Sequence, residues 1–167
     1  SVFEKAFPIL NEYSYTGSVY VIGGNIGKAG YMGENELKTL QENNWEIGSN
    51  TVYHPHLTEL NDRELQSELL LSKSILEDLG FKVMGIASPY GEYDERVLSK
   101  IREHYVYHRT SGPDDYNNIP LNENERYKLK AVNVESDVTV EQVKEWILGA
   151  KENGKWLILI FRGFDEE

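Results

Sequence analysis

Apolar residues recur along this chain in two alternating rhythms. Short runs rich in β-branched and aromatic residues occupy 18–23 (S-V-Y-V-I-G), 45–48, 82–87 (K-V-M-G-I-A), 104–109 (H-Y-V-Y-H-R), 127–132 and 156–161. Each reads as a strand. Between them, apolar side chains fall at three- and four-residue spacing. That spacing predicts helices over 2–13, 34–43, 61–79, 93–103 and 140–151. The punctuation agrees: Asn61 with Glu64, and Thr139 with Gln142, form capping boxes, and Gly80 is a helix stop. Pro8 must kink the first helix or lie in its first turn. Strand and helix alternate from end to end, which means βα units around a parallel sheet or barrel. A polar stretch at 110–125, rich in Asp, Asn, Pro and Gly, is the one long loop. No linker or repeat divides the chain, so 1–167 is expected to be one domain. An opening helix with no strand before it is odd for this architecture. The first residues, S-V-F-E-K-A-F, read as the middle of a helix, so the chain is expected to be cut from something longer.

Charge narrows the partners. The formal net charge is -11, from 28 acidic and 17 basic residues. This balance repels phosphate backbones, and with no basic patch in the sequence it argues against nucleic acid. The absence of cysteine excludes disulfides, thiolate metal sites and a cysteine nucleophile. No apolar run approaches the roughly 18 residues of a membrane span, and the N-terminus has no signal-peptide character. The compartment stays open.

Candidate chemistry gathers at W-E-I-G-S-N-T-V-Y-H-P-H-L, residues 45–57. An apolar strand stops at Gly48 and opens into a turn carrying Asn50, Thr51, His54 and His56. Ligands in α/β proteins bind at strand C-terminal ends. His54 and His56 would share a face in a strand, but Pro55 favours a turn and no acidic partner is evident. The loop G-G-N-I-G-K-A-G fails the phosphate-loop spacing: Ile22 stands at the first Gly position and Ala29 at the Ser/Thr position. His104 and His108 lie on a strand pattern, so a helical metal pair is not expected. Asp114 and Asp115 read as a solvated turn. Glu135 and Asp137 follow a strand end, where they either line the same mouth or form a helix-entry turn. Tyr53 and Tyr90 lie in loops at this mouth and are candidates to stack on sugar rings.

Four stretches also carry a resemblance. E-I-G-S-N-T-V-Y-H-P-H-L resembles the second motif of the polysaccharide deacetylases (the NodB-homology family), H-[ST]-x-x-H-P. The helix and strand F-E-K-A-F-P-I-L-N-E-Y … G-S-V-Y-V-I look like the segment following that family's T-F-D-D-G motif. S-P-Y-G at 88–91 is similar to the third motif, R-x-P-[YF]-G, and W-L-I-L-I-F-R-G-F at 156–164 resembles the last, which ends in a catalytic His. Order and spacing match over essentially the whole chain. The resemblance implies a distorted parallel (β/α) barrel, here without its first strand, in a domain cut at both ends. It also implies metal-dependent hydrolysis of N- or O-acetyl groups on carbohydrate, in proteins that are often secreted or bound to the cell envelope.

Carried over by position, His54 matches the second metal His and Asn50 stands at the first. An amide oxygen is a poor replacement for imidazole on a zinc-like divalent ion. The D-D-G motif, with a metal Asp and the general base, would fall before Ser1. Arg162 stands at the general-acid His, and a guanidinium cannot shuttle a proton. Ala87 occupies the third motif's Arg, for which Arg109 is a possible replacement. Pro89, Tyr90 and Tyr53 are expected to contact substrate. The implied reading is a deacetylase-like domain with weak or no metal binding and impaired or absent hydrolysis. The alternative is a non-catalytic carbohydrate-binding or scaffolding domain. An unpaired barrel edge would invite self-association.

Overall fold

The computed structural model of the protein describes residues 1–112 and 116–162. The alternation resolves into strands β1 (Ser18–Val21), β2 (Glu46–Ser49), β3 (Gly85–Ala87), β4 (Tyr107–Arg109), β5 (Val132–Val134) and β6 (Leu159–Phe161). The first four pair in chain order, all parallel, and β5 and β6 form a second parallel pair. Single parallel bridges from Arg109 to Leu129 and from Gly112 to Val132 join the two groups. The result is a distorted, partial (β/α) barrel. Among the described residues, β1 pairs only with β2, and β6 only with β5.

The helices are α1 (Phe7–Glu12), α2 (Glu34–Glu42), α3 (Asp62–Asp78), α4 (Glu95–His104) and α5 (Val140–Glu152). Their apolar stripes make the core. Leu37 and Leu40 of α2, Leu65, Leu69 and Leu76 of α3, and Val97 and Ile101 of α4 pack with Val19, Ile47 and Ile86 of the sheet. Each such burial stabilises by about 1.5–3 kcal/mol. Both capping boxes form, at Asn61 and at Thr139. A buried hydroxyl cluster ties α3 to the sheet: Ser72 Oγ lies 2.8 Å from Ser49 Oγ and 3.1 Å from the Tyr105 hydroxyl.

Four expected boundaries shift. The 2–13 helix is a π-turn over Val2–Ala6 followed by α1, with Pro8 in the first turn of α1. Proline has no N–H to continue the ladder, so a wider turn precedes it. The segment 104–109 starts as helix, because α4 runs through His104 and Tyr105 N donates to Ile101 O. Only 85–87 of the 82–87 run is strand. The 127–132 strand is displaced to Val132–Val134, with Leu129 reduced to one bridge where the array bends. The 156–161 run, apolar throughout, is partly exposed: Trp156 is 40% and Phe161 54% exposed. Among the described residues its neighbours on the inner side are those that line a cleft.

Two glycines shape the inner face of the sheet. Tyr20 sits opposite Gly48, and Gly85 opposite Tyr107. A Cβ on Gly48 would lie 2.7 Å from the Tyr20 ring, and one on Gly85 would lie 1.9 Å from Tyr107 Cζ. Each tyrosine ring therefore lies flat across the strand beside it. The hydroxyls meet at 3.1 Å, and that of Tyr107 donates to Glu46 Oε1 at 2.6 Å. Gly85→Ala should overpack this floor and lower urea stability by about 1–3 kcal/mol. Gly112→Ala, whose Cβ would meet nothing within 4 Å among the described residues, should change it by no more than about 0.5 kcal/mol. Equal effects of the two substitutions would contradict the packing described.

Candidate functional site

The β2 exit turn is built from its own polar side chains. Ser49 Oγ accepts from Thr51 N at 3.1 Å, and Thr51 Oγ1 accepts from His54 N at 3.0 Å. Glu68, reaching from α3, accepts from the backbone N–H groups of Val52 (2.8 Å) and Tyr53 (3.1 Å). These bonds hold Thr51 and His54 in the left-handed region, at φ 65° and 58°. That conformation costs roughly 1–2 kcal/mol per non-glycine residue. The turn therefore projects Asn50 and His54 into a cleft of about 830 Å³, open between β1 and β6.

Across from it, the S-P-Y-G stretch ends β3. Pro89 starts a short 3-10 turn and is buried, which gives it a backbone-shaping role and no place on the cleft wall. Tyr90 has φ 59° and is 50% exposed. Gly91 at φ 75° is required, since a Cβ there would lie 2.1 Å from Ser111 Oγ and 2.8 Å from its backbone N. Tyr90 is packed between both histidines of the turn. His54 meets its ring edge-on at 4.7 Å between centroids, and His56 stacks on it at 4.0 Å. His56 Nδ1 also bonds Glu92 Oε2 at 2.8 Å, and this bond raises its pKa. So His56 positions Tyr90, while His54 faces the cleft. Burial and then the Arg162 charge lower the His54 pKa.

Behind this turn, His108 is fully buried. Its Nδ1 donates to Tyr127 O at 2.8 Å, which leaves Nε2 to accept from Ser88 Oγ at 2.7 Å. Burial lowers its pKa to about 4. His104 bonds Gln66 from the end of α4. Neither histidine lines the cleft.

Arg109, at the end of β4, lies over the Tyr20 ring at 4.8 Å and is only 7% exposed. Its Nη1 donates to Thr110 O, and its Nε is buried without a partner. Asn50 Oδ1 is likewise buried without a donor. Both residues line the cleft, together with Arg162 and Arg126. Tyr53 is 71% exposed, packs beside Gly24 and does not line it. Glu135 and Asp137 are exposed in the turn before α5, also away from the cleft. Asp114 and Asp115 lie outside the described residues. Sequence reading missed Glu46, Tyr20, Tyr107 and Arg126. Only the Tyr–Gly cross-strand register could have signalled the first three.

The donors among the described residues do not by themselves complete a site for a zinc-like ion. Among the described residues no group of three or more His, Asp or Glu side chains converges. His54 and Asn50 would offer one imidazole and one amide oxygen, beside the Arg162 cation.

The polysaccharide deacetylase family profile matches residues 1–107. The chain belongs to that family. A Bacillus subtilis protein assigned to the polysaccharide deacetylases (YxkH) is 29% identical over 97 residues, covering 58% of this chain and 35% of that protein. The crystal structure of BC0361, a polysaccharide deacetylase from Bacillus cereus, superposes with a TM-score of 0.76 at 26% identity. BA0330 of Bacillus anthracis, assigned to the same family, gives 0.76 at 24% identity. Each of these two comparisons covers 85% of this chain and 46% of the other. The chain thus spans about half the length of those structures, and the fold match covers more of this chain than the family profile does.

The buried histidine sets a pH dependence. His108 holds its proton more weakly folded (about 4) than unfolded (6.5), so the unfolded state binds more protons between those values. Its contribution is complete above about pH 6.5 and is lost as pH falls through 4, to the extent of about 3 kcal/mol. Urea titrations of the protein and of His108→Gln from pH 7 to 4 should show the shallower slope in the variant. An imidazole resonance of His108 titrating near 6.5 would contradict burial as the cause.

Proposed function

We propose that this polysaccharide deacetylase-fold domain binds carbohydrate in the cleft and does not carry out the family's metal-dependent deacetylation. The observation that carries this reading is the pair Asn50 and Arg162, both of which line the cleft at positions where the family pattern calls for histidine. The first removes the nitrogen donor that a zinc-like ion prefers, and the second replaces a proton donor of tunable pKa by a permanent cation. General acid–base catalysis at neutral pH needs groups that titrate near the working pH. Among the described cleft residues only His54 has that range, and burial together with Arg162 disfavours its charged form.

Carbohydrate binding is supported by the family and by the aromatic wall. Tyr90, wedged between His54 and His56, presents its half-exposed outer edge at the cleft, and the Trp156 ring, 40% exposed, lines the far side. Such rings stack on sugar faces.

Acetate release from acetylated chito-oligomers and acetylxylan, with added zinc, nickel or cobalt, should stay at background. It should stay there in Asn50→His as well, because Arg162 remains. Turnover by the unaltered chain would overturn the non-catalytic reading. In calorimetric titrations with the same oligomers, Tyr90→Ala should weaken binding by about tenfold, the loss of a stacking contact of about 1 kcal/mol or more. No detectable heat with any glycan would remove the binding reading.

A further inference from the structure

The β2 exit turn is tied to α3 by a chain of hydrogen bonds that ends outside the turn itself. His54 N donates to Thr51 Oγ1 at 3.0 Å, and Thr51 N donates to Ser49 Oγ at 3.1 Å. Ser49 Oγ lies 2.8 Å from Ser72 Oγ of α3. Ser72 Oγ lies 3.2 Å from Leu69 O and 3.1 Å from the Tyr105 hydroxyl, which itself donates to Leu69 O at 2.8 Å. Ser49, Thr51 and Ser72 are fully buried by the described residues, so the chain of bonds is complete within them.

Pairing fixes the direction of the protons. Tyr105 donates to Leu69 O, and Ser72 has two acceptors, Leu69 O and the Tyr105 oxygen. Within hydrogen-bond distance Ser49 has one, Ser72 Oγ. If Ser72 donated to Ser49, the Ser49 proton would be buried without an acceptor, which is unfavourable. The protons therefore run from Thr51 N to Ser49, from Ser49 to Ser72, and from Ser72 to Leu69 O or Tyr105. This leaves a lone pair of Ser49 on Thr51 N. Thr51 needs it, because its backbone is left-handed at φ 65°, as is that of His54 at 58°. Such backbone persists only where surrounding bonds over-determine it.

We propose that Ser72 is a positioning residue for the cleft. By accepting the Ser49 proton it keeps Ser49 oriented toward Thr51 N, and so holds the turn that carries Asn50 and His54. Ser72 does not line the cleft, and its effect reaches there through Ser49 and Thr51. This goes beyond the carbohydrate-binding reading and does not depend on it.

The test is residue-resolved amide hydrogen exchange of the full chain in Ser72→Ala, Tyr105→Phe and Ser49→Ala. Ser72→Ala should speed exchange at Thr51 and His54 by about tenfold or more relative to Ile47 and Ile86 in the strands. Tyr105→Phe should change that ratio by less than about twofold, because the Ser72 proton keeps Leu69 O as acceptor. In a Ser49→Ala background, Ser72→Ala should add nothing at Thr51, since the chain of bonds is already broken. A role limited to packing α3 on the sheet would speed strand and turn amides together and make Ser72→Ala and Tyr105→Phe alike. Either result would overturn the proposal, as would an additive effect in the Ser49→Ala background. Should Ser72→Ala fail to fold, Ser72→Cys gives the same comparison: it fills the site with a sulfur that is a weak hydrogen-bond partner. Turn exchange in Ser72→Cys no faster than in Tyr105→Phe would also overturn the proposal.

Discussion

Everything at the centre of this domain depends on how Tyr20 and Tyr107 cross the inner face of the sheet. Parallel strands lie close enough that a large ring can lie flat only where its neighbour has no side chain. Gly48 and Gly85 provide those two vacancies, at the paired register positions. The rings then meet hydroxyl to hydroxyl and anchor on Glu46, which makes a polar floor on the inner face of the sheet. Arg109 rests on that floor through the Tyr20 face. Its burial follows from the platform, since the ring shields one face of the guanidinium while β4 fixes the backbone.

The rim obeys a different constraint. Thr51, His54 and Tyr90 all have left-handed backbone, and none is glycine. Such a conformation persists only where surrounding bonds over-determine it. Here Ser49, Thr51 and Glu68 close the β2 exit turn, and the His54–Tyr90–His56 stack joins it to the β3 exit turn. The two turns therefore act as one wall. Strain spent on that wall places Asn50 and His54 in the cleft and aims Tyr90 across its mouth.

Electrostatics then decides what the wall can hold. A divalent cation needs lone pairs from several converging anionic or imidazole groups, and this cleft presents guanidinium groups. Among the described residues His54 is the one imidazole that lines that cleft, with Asn50 beside it and Arg162 also in the lining. The family fold is kept while Asn50 and Arg162 stand at two positions where the family pattern has histidine, and it is the site, not the fold, that bears on activity.

Much of this was legible along the chain. The alternating periodicities determined six strands and the helices between them, because burial of one face imposes its own spacing. The capping boxes at Asn61 and Thr139 and the stop at Gly80 were local chemistry and needed no partner. The motif register also placed Asn50, His54, Tyr90 and Arg162 near one another. Tertiary structure alone decided the rest. That β6 is half-exposed depends on what lies across the barrel from it, which no local pattern encodes. His108 and Arg109 are adjacent on β4, yet one is sealed behind Ser88 and Tyr127 while the other enters the cleft, because successive strand residues point to opposite faces. The separate roles of His54 and His56 were hidden for a similar reason. Pro55 between them breaks the strand, and only the position of Tyr90 shows which ring faces the cleft and which supports the wall.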